Sequence, residues 1–412
     1  MNYMKILTLV YDLNRGGVQK TAINFAVGFH ALGHESHLLA QDVNGVLVED
    51  AHKGKVSVFD ENDFFKMKNC NYDLVFLHSL HLCPILVKRV LDVIRSVNSD
   101  VRVIEKNVFS KPTPWEIQLD YSVQMSRWCE LNYVCNGGKA PTIVVSHPID
   151  TDAFGVAKIE EKVAFRAKYS IPENSTVILR VGQAYPRKWS VGMLKLYAEA
   201  FEANKQLCLI MVNPSHNMTD FLCQLPTRVK ASVVVIERIE SLIEMQACYA
   251  CADLFLHVSR WGESFGNVFL EAALSGVPII AFSTPWVDNS QIEVVELEGR
   301  GVVCHTENQL KHCLLEYLGN IEQIKSKHES RVVLELARNS CPVVAANLLE
   351  FVFADDPSTN PDTNIGPISL LRKTKAKPPL WLLGLVFLRF KLANQLCTRI
   401  LTKIEQRFYG YW

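Results

Sequence analysis

Two glutamates eight residues apart, Glu263 and Glu271, lie in the stretch GESFGNVFLEAALSGVP, residues 262–278. A carboxylate accepts two hydroxyl hydrogen bonds at once, which suits the diols of a ribose or a hexose. Gly262 and Gly266 let the backbone come close to a ligand, and free amides at the start of a following helix favour a phosphate. Earlier in the chain, RVGQAYPRKWS (180–190) sets Arg180, Arg187 and Lys188 around Gly182. Two or three cations beside a glycine turn suit a diphosphate, lysine as a mobile point charge and arginine as a fork. Cations for a diphosphate and carboxylates for sugar rings together describe a grip on a nucleotide-diphosphate sugar. The structural alternative is a pair of helix-end carboxylates favoured by the macrodipole, with the cations as ordinary surface charge.

The elements around these residues support the first reading. The apolar run Leu254–Val258 has the length of a buried strand, and Val277–Phe282 forms a second. Between them Val268, Leu270, Ala272, Ala273 and Leu274 suit a helix, closed by Gly276 and Pro278. Strand, loop, helix, strand makes the two strands parallel, and ligands of such sheets sit at the carboxyl ends of strands. Glu263, Ser264, Phe265, Gly266 and Asn267 fall there. Arg180 to Lys188 follow the strand Thr176–Val181 in the same way. Near the start, Lys5–Tyr11, a turn through Gly16 and Gly17, a helix Val18–Leu32 and a strand Glu35–Ala40 form another such unit. Its double glycine lets amides approach a bound group, or serves the turn alone; no GxGxxG is present. The buried strand Tyr72–His78 puts His78 at a carboxyl end, as a catalytic group or as a structural histidine.

Residues 262–278 resemble the signature of glycosyltransferase family 4: Glu263, Phe265, Gly266, Glu271, Ala272, Gly276 and Pro278 all agree with it. Lys188 occupies the lysine place of the family's Gly-Arg-x-x-x-x-Lys motif, while Gln183 stands where the arginine usually stands. GGVQKTAINFAVGFHALGHE resembles the opening glycine-loop motif, and HPIDTDAF (147–154) the hinge that joins the two halves. Asn107 lies where family members often carry a histidine. The resemblance covers roughly residues 4 to 353. It implies two α/β Rossmann-like domains facing each other across a cleft (the GT-B architecture) and hexose transfer from a nucleotide sugar with retention at the anomeric carbon. It further implies that Glu271 binds ribose and that Glu263 holds the transferred sugar. Glu263, Lys188 and His78 are the expected catalytic residues. Gly16, Gly17, Gly182, Arg180, Arg187, Lys188 and the segment Glu263–Asn267 with Glu271 are the expected donor contacts. The nucleotide sugar is the donor substrate; no cofactor and no metal are expected, since no Asp-x-Asp stands at a strand end. A non-catalytic nucleotide-binding or scaffold relative, or a sugar-nucleotide epimerase of the same architecture, is the alternative.

The chain has 412 residues, enough for two domains. Its net charge is zero, so no whole-molecule field points to nucleic acid. Cys248 and Cys251 form a CxxC inside an apparently helical run and are expected as buried free thiols; the cysteine usage fits a reducing cytosol. No 18-residue apolar run is present. The expected organisation is an acceptor-side domain over 1–160, a donor domain over 161–335, a helix crossing back over 336–354, a linker over 355–365 and a basic tail over 366–412. The tail carries Arg372, Lys373, Lys375 and Lys377 before LWLLGLVFL (380–388), a pattern that suits an anionic membrane surface. A glycan or lipid-linked acceptor met at the cytoplasmic face of the membrane is expected.

Overall fold

The computed structural model describes residues 3–14, 16–78, 81–151, 154–155, 159–239, 241–259, 261–283 and 288–354. The tail, Arg15 and residues 284–287 lie outside them. Two compact units divide the described chain, one from its start to Thr151 and again from Ala337, the other from Asp152 to Leu336.

The first unit is built on a seven-stranded parallel sheet in the order β3-β2-β1-β4-β5-β6-β7. Its strands are β1 (Lys5–Asp12), β2 (Glu35–Asp42), β3 (Ser57–Phe59), β4 (Leu74–His78), β5 (Arg102–Lys106), β6 (Tyr121–Gln124) and β7 (Thr142–Val144). Because both faces are covered, the central strands are apolar throughout rather than alternating. On β4, Val75 and Leu77 face the helix Pro84–Val97 through Leu86, Val87, Val90, Leu91 and Ile94. Leu74 and Phe76 face the other way, against Phe25 and Phe29 of the helix Gly17–Ala31. That side is completed by Val344, Ala345, Leu348, Leu349 and Val352 of the helix Cys341–Val352. The two helices meet closely: a Cβ at Gly28 would lie 2.3 Å from the carbonyl oxygen of Cys341.

Two strands of this sheet, β3 and β6, are not signalled by the sequence. β3 is a three-residue edge strand. β6 buries two polar side chains, Ser122 and Gln124, joined by a 2.9 Å hydrogen bond from Gln124 Nε2 to Ser122 Oγ, while Gln124 Oε1 is buried without a partner.

The second unit has a six-stranded parallel sheet in the order β10-β9-β8-β11-β12-β13. The strands are β8 (Thr176–Val181), β9 (Leu207–Val212), β10 (Val233–Ile236), β11 (Leu254–His257), β12 (Ile279–Phe282) and β13 (Gly301–Cys304). One face, with Ile178, Leu209, Met211, Leu254, Leu256 and Ile280, packs on Trp189, Met193, Leu194 and Tyr197. In each unit, helices cover both faces of a parallel sheet: two Rossmann-like α/β bodies. Cys248 and Cys251 are buried free thiols on the helix Leu242–Ala250 and its cap. No described helix is long and apolar enough to cross a membrane.

Candidate active site

Two carboxyl ends of the second sheet supply the site's main groups. From β8 the chain leaves through Gly182 into a one-turn 3-10 helix, Pro186–Lys188. From β11 it leaves through the loop that ends in the helix Asn267–Leu274. Gly262 and Gly266 both adopt positive φ, +63° and +85°. At Gly266, the N-cap of that helix, a Cβ would also lie 2.6 Å from the Phe269 ring. Glycine is therefore required there on two grounds. Gly266 offers no side chain to cap the helix, and its carbonyl accepts from the Phe269 amide at 2.9 Å.

Glu263 is held from several directions. Lys188 Nζ donates to its Oε2 at 2.6 Å and to the carbonyl oxygen of Gly262 at 3.2 Å. His257 Nε2 lies 3.1 Å from Oε1. The Glu263 amide donates to Gln291 Oε1 at 3.2 Å, and its carbonyl accepts from the Ser290 amide at 3.1 Å. Burial by itself would push the Glu263 carboxyl up; the His257 hydrogen bond and the Lys188 charge reverse this and hold it down at about 2. It is an anion at every working pH. Asp288 faces the same charges, with its carboxyl pushed up by burial and by Glu263 and pulled back by Lys188.

Glu271 sits one turn into the helix. The Tyr249 hydroxyl donates to its Oε2 at 2.7 Å, while Oε1 takes no hydrogen bond from the described residues. Burial raises its pKa and the tyrosine opposes the rise. Asn267 opens the helix; Phe265 is buried beneath the loop, and the Ser264 carbonyl accepts from Ser290 Oγ at 2.6 Å.

Two expected contacts are placed otherwise. Arg180 is wholly buried. Its guanidinium donates to the carbonyl oxygens of Val181 and, at 2.6 Å, of Lys188, and it lies 4.9 Å from the Trp189 ring centroid. It supports the turn that carries Lys188 and is not presented to a ligand; being internal to β8, it points into the protein rather than out of the sheet's end. Arg187 is exposed, stacked over Trp261 at 4.1 Å. His78 is the second correction. It closes β4 on the Phe76 face, packed on Phe76 and Phe25, fully buried, with neither ring nitrogen hydrogen-bonded. Burial and the Lys106 charge hold its pKa down to about 3, so it is a neutral ring in an aromatic pocket and meets no solvent from which a substrate could approach. Gly16 and Gly17 open the helix Gly17–Ala31, Gly16 with an extended backbone. Asn107 is committed to its own loop, its Nδ2 donating to the Lys111 carbonyl at 2.8 Å.

His257, Tyr249 and the pair Ser290 and Gln291 complete the site. His257 could have been found as a polar residue ending an apolar strand six positions before Glu263; Tyr249 carries no such signal. Among the described residues no cluster of His, Cys, Asp and Glu could hold a metal ion.

The architecture is that of two-Rossmann-domain glycosyltransferases. HepE from Anabaena, solved with UDP and glucose, superposes with a TM-score of 0.65 at 15% identity, covering 85% of this chain and 100% of that one. WaaG, described as a glycosyltransferase of lipopolysaccharide biosynthesis, superposes with 0.54 at 15% identity, over 85% and 100%. In sequence, residues 161–332 match the family described as glycosyl transferases group 1. That stretch contains Lys188, Glu263 and Glu271. A curated relative, the GDP-mannose-dependent monoacylated alpha-(1-6)-phosphatidylinositol monomannoside mannosyltransferase of Corynebacterium glutamicum, is 28% identical over 171 residues. The match covers 40% of this chain and less than half, 44%, of that relative.

Proposed function

We propose that this protein transfers a hexose from a nucleotide-diphosphate sugar to a hydroxyl of a glycan or lipid-linked acceptor, with retention and without a metal, in cell-surface polysaccharide biosynthesis. The observation that carries the reading is the Glu263 carboxylate fixed between Lys188 and His257 at the carboxyl end of β11, beside the start of the helix Asn267–Leu274. Group 1 glycosyl transferase similarity over 161–332 and the UDP and glucose bound by a structural neighbour support it.

Glu263 binds hydroxyls of the transferred sugar, the open oxygen of Glu271 binds the ribose, and Lys188 with the helix-start amides takes the diphosphate. Arg187 is the second cation. In the reaction the bond from the anomeric carbon to the phosphate oxygen breaks through an oxocarbenium-like state. A bond to the acceptor oxygen forms on the same face, and the acceptor proton passes to the leaving phosphate. Lys188 stabilises the charge that grows on that phosphate. The protein is cytoplasmic, and its basic tail brings it to an anionic membrane surface. Vesicle sedimentation with and without residues 366–412, at low and high salt, tests that part.

A thermal-shift screen of nucleotides and nucleotide sugars tests the donor, because a ligand that binds only the folded state raises its stability by mass action. Transfer assays with the ligands found then separate transferase from a binding protein, which would show the shift and no transfer. A protein stabilised by no nucleotide would overturn the reading.

A further inference from the structure

Glu263 is held by two groups of different kinds. Lys188 is a long, partly exposed cation at 2.6 Å from Oε2, whose side chain is 25% exposed. His257 is a rigid ring with no exposure, 3.1 Å from Oε1. Following Leu256 along β11, it turns to the face of Phe255 and lies under the helix Asn267–Leu274, its ring 4.7 Å from that of Phe269. The lysine can move and the imidazole cannot. A diphosphate entering the site offers Lys188 more negative charge and more acceptor oxygens than one carboxylate does. As Lys188 turns toward it, Glu263 loses one of its two holders.

We propose that His257 is a positioning residue of this site: as an Nε2–H donor to Glu263 Oε1, it keeps the carboxylate aimed at the transferred sugar while Lys188 is drawn to the donor diphosphate. This rests on the nucleotide-sugar reading given above. It requires a neutral ring with its proton on Nε2, because an ionised carboxylate only accepts. Nδ1 is buried without a hydrogen-bond partner, so a second N–H there would be stranded. Burial and the neighbouring Arg180 charge keep the ring neutral, with a pKa down at about 4.

The test compares His257→Leu, which removes the donor, with His257→Gln, whose side-chain amide brings an N–H near the lost Nε2. Affinities for UDP, UDP-glucose, GDP and GDP-mannose are measured by calorimetry, and transfer is followed with whichever sugar binds. In His257→Leu the nucleoside diphosphate should bind within about threefold of wild type, while turnover falls at least tenfold and donor KM changes less. His257→Gln should recover most of the loss. In ring-nitrogen NMR, the wild-type imidazole should show the Nε2–H tautomer at pH 6, and Glu263→Ala should shift the Nε2 resonance by removing the acceptor. A Nδ1–H or cationic ring, equal turnover in His257→Leu and wild type, or equal losses in the leucine and glutamine variants would overturn the proposal. The tautomer measurement, with the His257 signal assigned by its loss in His257→Gln, still tests the proposal where the leucine variant fails to fold, since a Nδ1–H or cationic ring would overturn it. If wild-type protein binds none of the four nucleotides, the nucleotide-sugar reading falls and takes the role of His257 with it. If the wild type binds and transfers while the variants behave as wild type, only the inference fails.

Discussion

The hydroxyl of Tyr249, on a fully buried ring, donates to Oε2 of Glu271 at 2.7 Å and leaves Oε1 open. One oxygen is thus spent on orienting the carboxylate and the other is offered to a ligand. Glu271→Ala should weaken nucleoside diphosphate binding by about 1.5–3 kcal/mol, the worth of a hydrogen bond to a charged group. The fold should persist at a cost of about 1–3 kcal/mol, because losing Oε2 leaves the buried Tyr249 hydroxyl without its acceptor. Calorimetry on a folded variant decides; unchanged affinity would remove the ribose assignment.

Lys188→Ala should lower turnover far more than donor affinity. Charge on the leaving phosphate grows toward the transition state, so the lysine matters most there. Losing one such preorganised group costs roughly 100- to 1,000-fold in turnover. Steady-state kinetics on a donor that saturates both proteins would show it, and wild-type turnover would mark Lys188 as surface charge.

Arg180 and Arg187 should separate cleanly. Arg180→Met leaves the carbonyl oxygens of Val181 and Lys188 without their donor, at about 1–3 kcal/mol for each buried group stranded. It should lower the melting temperature. Arg187→Ala should leave melting unchanged and weaken donor binding, more strongly at low salt than at high. Equal melting of both variants would contradict the division.

His78→Phe should leave transfer intact and stabilise the protein in mild acid. The folded pKa of about 3 lies below the ordinary 6.5 because of burial first and Lys106 second. Between those pH values the unfolded chain binds a proton that the folded one refuses. Stability is therefore complete above pH 6.5 and falls as pH drops toward 3. By pH 5 the cost of this ring is on the order of 2 kcal/mol. Phenylalanine has no proton to bind and fits an aromatic neighbourhood. Melting curves at pH 7 and pH 5 should diverge between wild type and variant; a loss of transfer at pH 7 would restore His78 to the reaction.

Where the sequence is legible, burial is the reason. β4 and β11 are continuous apolar runs because both faces of their sheets are covered, and each ends where its polar residue stands. Glu263, Gly266 and Lys188 are recognisable because loop chemistry needs those types at those places. What stays hidden is set by partners distant in sequence. Nothing near Arg180 announces that its guanidinium turns inward to a carbonyl eight residues on. Nothing near Tyr249 announces Glu271. β6 carries no signal because the polar residues Ser122 and Gln124 are buried within it, so it lacks the apolar run that marks a buried strand.

The helix Cys341–Val352 bears on how the chain is made. It fills the core beside Phe25, Phe29 and Phe76, yet it is among the last described elements to be synthesised. The sheet of residues 5–144 consequently leaves the ribosome with part of one apolar face, the part this helix covers, bare. It stays so until the intervening body, a single uninterrupted stretch, has been produced. Biogenesis therefore runs against the usual order, in which the leading domain matures first. The nascent N-terminal half is the stage at which a chaperone would have most to shield.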